Sequence, residues 1–152
     1  MSQWITLIIF LIITAGAASF GATNLPGKFY DDLRKPSWNP PACLFGPVWT
    51  ILYIMIAIAG WLVWRQTGMS VVIGVWAVQI LLNALWSVVA FRFNRLDYAF
   101  YNIAALWLSI ILFMVLAWPV DRLATYLFMP YLLWVSFASW LNLTLWRLNP
   151  VA

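Results

Sequence analysis

Apolar residues along the chain gather into five runs, roughly residues 4–23, 44–64, 71–91, 98–118 and 124–146, and every charged side chain lies between or outside them. Each run is about 20 residues, which at about 1.5 Å rise per residue spans a hydrocarbon core of about 30 Å. None carries the polar stripe of period 3.6 that a water-facing helix shows. The pattern predicts an all-α fold: an integral membrane bundle of five transmembrane helices, one domain over residues 1–152.

The connections are unequal. The second, third and fourth are about five or six residues, so successive helices are expected to pair as antiparallel neighbours. The first, residues 24–43, is long enough to have a role of its own. Within it Phe29, Tyr30 and Leu33 recur at helical spacing between Asp31, Asp32 and Arg34, which predicts a short interfacial helix over Gly27 to Lys35. Lys35-Pro-Ser-Trp-Asn-Pro-Pro41 follows, and its three prolines fix φ and remove donors, predicting a stiff extended segment that presents Trp38. The whole connection reads as a lid. In the first run, Ala15-Gly-Ala-Ala-Ser19 resembles a cleavage site, but no basic segment precedes it and the apolar stretch is too long for a secretory signal. Retention as the first helix is expected, with these small residues allowing close helix packing.

Composition sharpens this picture in one respect: 66% of residues are apolar and 8% charged, far from the roughly one-quarter charge of a soluble domain. Lys28, Arg34, Lys35, Arg92, Arg95 and Arg147 fall on one side of the bundle, and Arg65 and Arg122 on the other. Basic residues are retained in the cytoplasm, so in a bacterial inner membrane the N-terminus lies outside and the C-terminus inside. The net charge of +4 is spread over loops, and no basic cluster points to nucleic acid.

Depth along the runs singles out candidate ligand-binding residues. Trp49 and Tyr53 share a face of the second run with Gly60. Gln79, Asn83 and Trp86 form one stripe on the third. Tyr131, Trp134, Ala138 and Asn142 form a face of the fifth. All three faces meet in the half of the bundle beneath the first connection. Amides at this depth must point inward and find partners, and Asn102 is expected simply to bond another helix. Of the twelve Trp residues, Trp4, Trp61, Trp64, Trp118 and Trp146 sit at run ends as interfacial anchors, and Trp76, Trp107 and Trp140 have no evident assignment. Trp38, Trp49, Trp86 and Trp134 remain as cavity candidates. Indole faces stack on planar ligands and offer an N–H, so a large flat hydrophobe with a few polar edges would suit them.

The absences constrain the chemistry. There is no His and no Glu, and Asp31, Asp32, Asp97 and Asp121 all fall outside the runs. Ion-coupled transport and general acid–base catalysis lose their usual residues. Haem iron would find no His ligand, Cys43 alone makes neither a disulfide nor a metal site, and neither a metal nor a resident cofactor is expected.

Lys35-Pro-Ser-Trp-Asn-Pro-Pro41, Phe45-Gly-Pro-Val-Trp49 with Leu52-Tyr53, Gln79 and Asn83-Ala-Leu-Trp86, Pro130-Tyr131 and Trp134, Phe137-Ala138 and Leu141-Asn142 together resemble the tryptophan-rich sensory protein/translocator protein (TspO/MBR) family. The resemblance implies a five-helix bundle, often a homodimer, that binds porphyrins such as protoporphyrin IX, and in some members sterols or isoquinoline and benzodiazepine drugs, under the first connection. By position, Trp49 and Trp134 match indoles implicated in light-dependent porphyrin breakdown in bacterial relatives. Trp38, Asn83 and Trp86 match lid and pocket positions, and Ala138 a pocket alanine. Leu141-Asn-Leu-Thr-Leu-Trp-Arg147 lacks the Tyr of the sterol pattern in animal members, so specific cholesterol binding is not expected. Three functions follow: a binding and sensing protein for planar lipophiles, which the residues favour; a porphyrin-degrading enzyme using Trp49 and Trp134; and a carrier of lipophiles, for which matching interrupted helices are missing.

Overall fold

The computed structural model describes residues 2–150. Regular structure among them is entirely helical: α1 (Gln3–Ala22), the single turn α2 (Lys28–Asp31), a 3-10 turn Ala42–Leu44 leading into α3 (Phe45–Thr67), α4 (Val71–Ser87), which continues as a π turn Val88–Arg92, α5 (Leu96–Ala117) and α6 (Arg122–Leu148). Among the described residues, α1, α3, α4, α5 and α6 are the five helices long and apolar enough to cross a bilayer. Their ends follow local chemistry. Ser70 caps α4 by accepting from the Ile73 N–H, and Asp121 caps α6 by accepting from the Ala124 N–H at 3.0 Å. Gly68, at φ +59°, ends α3 in a conformation that favours glycine.

The first connection departs from the expected elements. Its helix is a single turn rather than the whole of Gly27 to Lys35. The proline segment is not uniformly extended, because Asn39 N–H bonds back to the Pro36 carbonyl at 3.0 Å and closes a turn there. Phe29, Tyr30 and Leu33 seat this connection on Leu96, Leu141 and Leu145 at the ends of α5 and α6.

Around the bundle the helices run α1, α3, α6, α5, α4, closing a ring. Consecutive α4, α5 and α6 are neighbours as expected, but α3 and α4 touch little despite their short link, and α1 bridges them. The bonds that do span them come from long side chains: Trp76 Nε1 donates to the Ile56 carbonyl at 2.9 Å, and Tyr53 OH to Asn83 Oδ1 at 2.8 Å. A Cβ on Gly60 would lie 2.5 Å from Trp76 Nε1 and 2.7 Å from Phe10 Cε1, so α1, α3 and α4 converge there because residue 60 has no side chain. This half is solid, with Phe113 stacked on Phe128 at 4.1 Å between ring centroids.

Polar side chains tie neighbours together where lipid supplies no hydrophobic drive, each bond giving about 0.6 kcal/mol on average. Asn102 donates to the Leu82 carbonyl at 2.8 Å, and Trp107 Nε1 to Ser136 Oγ at 2.8 Å. Of the unassigned indoles, Trp76 is thus a buried packing residue and Trp107 an interhelical donor, while Trp140 faces outward at 62% exposure.

Candidate functional site

Away from the Gly60 crossing, α3 and α4 diverge and enclose a cavity of about 1060 Å³ in the half beneath the first connection. Trp49 and Tyr53 of α3, Asn83 and Trp86 of α4, and Ala138 and Asn142 of α6 form its inner wall. Thr14, Ala18 and Ser19 of α1 face it from the other side, and Asn24, Pro26, Tyr30 and Cys43 contribute from the first connection. The π turn brings Ala90 and Phe91 onto the wall, and Phe91 lies edge-on to Trp86 at 5.4 Å and to Tyr30 at 5.8 Å.

A relay of hydrogen bonds supports this wall. Tyr53 OH donates to Asn83 Oδ1 at 2.8 Å, Asn83 Nδ2 donates to Tyr131 OH at 2.8 Å, and Tyr131 OH donates to Gln79 Oε1 at 2.9 Å. Gln79 and Tyr131 are fully buried behind the surface that Tyr53 and Asn83 present. An amide carries two donors and two acceptor sites, so Asn83 keeps one of each beyond the relay. Higher up, Trp86 Nε1 donates to Asn142 Oδ1 at 3.0 Å, and Asn142 Nδ2 donates to the Leu96 carbonyl at 2.9 Å. The Trp86 indole therefore offers the cavity its ring, its N–H being already engaged.

Of the eight residues singled out in the sequence, Trp49, Tyr53, Asn83, Trp86 and Ala138 share the cavity wall. Tyr131 stands directly behind them. Trp134 lies 6.5 Å from Trp49, ring centroid to centroid and nearly perpendicular, but borders a separate shallow groove of about 400 Å³ between α3 and α6 with Val48, Pro130 and Phe137. Its Nε1 is buried without a partner among the described residues. Trp38 is 42% exposed and meets Phe137 edge-on at 5.9 Å, outside the cavity. The wall contributions of α1, Asn24 and Phe91 were not anticipated. The small residues Ala15 to Ser19 read equally as packing residues, and nothing in Val88–Arg92 signals a π turn.

Asp31 is the one charged side chain lining the cavity among the described residues. No group of three or more His, Cys, Asp or Glu side chains able to hold a metal occurs among them. The cavity is suited to stacking and a few directed hydrogen bonds.

A model of the TspO/MBR family matches residues 5–147. The chain is 40% identical over 149 residues to protein CrtK of Rhodobacter capsulatus, covering 93% of this chain and 91% of the relative. It is likewise 40% identical over 151 residues to the tryptophan-rich protein TspO of Chlorobaculum tepidum, covering 96% of each. Similarity extends to the human translocator protein, 29% identical over 154 residues, covering 96% of this chain and 91% of that one.

Proposed function

The chain belongs to the TspO/MBR family of multi-pass membrane proteins, and on that premise we propose that it is a binding and sensory protein for porphyrins and other planar lipophiles. The observation that carries this reading is the cavity: about 1060 Å³, just above the range of about 300–1,000 Å³ usual for small-molecule sites. Trp49 and Trp86 supply faces for stacking, and Asn83 supplies one donor and one acceptor to a polar edge of the ligand. In this reading the first connection, which contributes Asn24, Pro26 and Tyr30 to the lining, acts as the lid of the site. The protein works as a homodimer, for which α4 presents Gly74, Ala77 and Leu81 outward, and sits in a bacterial inner membrane with its N-terminus outside.

Titrating the detergent-purified protein with protoporphyrin IX in the dark, following Trp fluorescence, tests the site. Saturable quenching is expected, with Asn83→Ala weakening binding about tenfold, the equivalent of one hydrogen bond. Trp49→Phe weakens it more than Trp134→Phe, because only Trp49 reaches the wall. Identical non-saturable quenching in all four proteins would mean partition into the micelle, and the binding reading would fail.

A second reading, light-dependent porphyrin breakdown, is favoured by the Trp49–Trp134 contact, which joins a wall indole to a half-buried one outside the cavity. Illuminated wild-type complex then loses its Soret absorbance, and Trp49→Phe and Trp134→Phe slow the loss. Equal bleaching in all three proteins removes the indoles from that chemistry.

A further inference from the structure

The cavity has an open side. On α1, the lining residues Ala15, Ser19 and Ala22 are exposed, and so are Gly46, Thr50 and Ile54 on α3. These two rows face each other across the seam between the helices. The seam is shut elsewhere. Towards the other end of the bundle Trp61 Nε1 donates to the Gln3 carbonyl at 3.0 Å, and Phe10 packs on Trp64 and into the space left by Gly60. From that crossing α1 leaves α3 and leans on α4, where a Cβ on Gly21 would meet Ser87 Oγ at 3.6 Å. A Cβ on Gly46 would meet nothing within 4 Å. One flank of α1 is therefore sealed and the other is a slit rimmed mostly by small side chains.

The slit lies at membrane depth. Ile54 is nine residues beyond Phe45 at the start of α3, about 14 Å along the helix axis, which is deeper than the headgroup layer of about 5–8 Å. The helix faces beside it carry Ile12 and Ile51, 64% and 60% exposed, as surfaces turned to lipid do. Overhead, by contrast, the first connection is fastened. The Asn149 amide clasps the Arg34 backbone, Oδ1 accepting from the N–H and Nδ2 donating to the carbonyl, each at 3.0 Å. Leu33 and Phe29 are packed on the ledge at the ends of α5 and α6.

From this asymmetry we infer that the ligand enters and leaves sideways, from the bilayer through the α1–α3 slit, while the first connection stays shut. The ligand class is a lipophile already dissolved in the membrane, and Ser19, Gly46 and Thr50 set the width it must pass. The inference rests on the cavity being the binding site proposed above, and it concerns rates rather than affinity.

The test is stopped-flow exchange of protoporphyrin IX with protein in phosphatidylcholine/phosphatidylglycerol vesicles, read from the porphyrin's own fluorescence. Ser19→Leu and Gly46→Phe, on opposite rims, are compared with Asn149→Ala, which undoes the clasp. Both rim variants are expected to slow association by about tenfold or more, roughly 1.4 kcal/mol on the barrier, and to slow dissociation with it. Asn149→Ala leaves both rates unchanged. Rates unaltered by the rim variants and raised by Asn149→Ala would overturn the inference in favour of exit through the roof. A raised Kd with unchanged association would also overturn it, because the added side chains would be filling the cavity rather than narrowing its entrance. Absence of saturable binding in the wild type sinks the binding site and the route together. Two rim variants with wild-type melting keep either result from reflecting misfolding.

Discussion

Asn83 gains its importance from what stands on either side of it. Tyr53 fixes its carbonyl and Tyr131 accepts from its amide, so the side chain is held in one orientation at the cavity wall, with one donor and one acceptor site outside the relay. Pre-organised polar groups give orientation without the entropic cost of ordering them on binding. Tyr131 is central to the arrangement, since its hydroxyl accepts from Asn83 and donates to Gln79, whose own Nε2 is buried with no partner among the described residues. Tyr131→Phe keeps the ring in place while leaving an Asn83 N–H and Gln79 Oε1 both unanswered. A buried group stripped of its partner costs about 1–3 kcal/mol, though bonds between membrane helices average about 0.6 kcal/mol. The expected loss is therefore about 1–2 kcal/mol, read as a melting point lowered by about 2–8 °C for a chain of this size. Unchanged melting would mean that the relay contributes nothing to stability. A second readout separates the two roles of the relay: weakened porphyrin binding in Tyr131→Phe, although Tyr131 is not on the wall, would show that it acts by holding Asn83.

At the scale of the helices, the structure divides at Gly60. Below that crossing the bundle is solid because α1, α3 and α4 approach to the limit that glycine allows, and above it the same helices splay. Gly60→Ala forces a methyl group to within 2.5 Å of an indole nitrogen that is itself bonded to Ile56. Overpacking of this kind costs about 1–3 kcal/mol. Gly16→Ala, on an open face of α1, gains helix propensity of up to about 1 kcal/mol. The two substitutions should shift thermal stability in opposite directions, and a fall of equal size in both would mean that helix chemistry rather than the crossing is responsible. This division was only partly legible in the sequence. Run lengths gave the five spans with ends displaced by a few residues, and depth along each run brought Trp49, Asn83 and Trp86 to one level. Those are properties of single helices, which periodicity reports. Which helices adjoin is a property of pairs. Short links suggested that α3 and α4 pack side by side, but close packing of α1 at Gly60 places it between them and creates the cavity. The residues Ala15 and Ser19 looked suited to tight contact for the same reason that they suit a passage: a small side chain leaves room, and the sequence does not say whether a neighbouring helix takes it. Trp134 and Trp38 were grouped with the cavity indoles by depth, whereas their azimuth around the bundle sets them outside its wall.

For the whole molecule, the hollow half and the basic half coincide. Lys28, Arg34 and Lys35 of the first connection, Arg92 and Arg95 beyond the π turn and Arg147 near the end of α6 all lie at the end of the bundle where the cavity is, and Arg65 and Arg122 at the solid end. Retention of basic loops in the cytoplasm would then place the site in the inner leaflet, with its slit open to lipids of that leaflet. A planar anionic amphiphile made in the cytoplasm would meet the slit without crossing the bilayer. The chain contains its own reporter for this orientation. Cys43 is the sole cysteine, is exposed, and lies on the first connection at the cavity rim. A membrane-impermeant maleimide added to intact spheroplasts is expected to leave Cys43 unmodified, and to label it once the membrane is permeabilised or when the vesicles are inverted. Cys43→Ser serves as the blank. Labelling in intact spheroplasts would turn the molecule over, placing the hollow half and its slit in the outer leaflet. Six basic residues against two would then have failed to set the topology, and the ligand would have to be one delivered from outside.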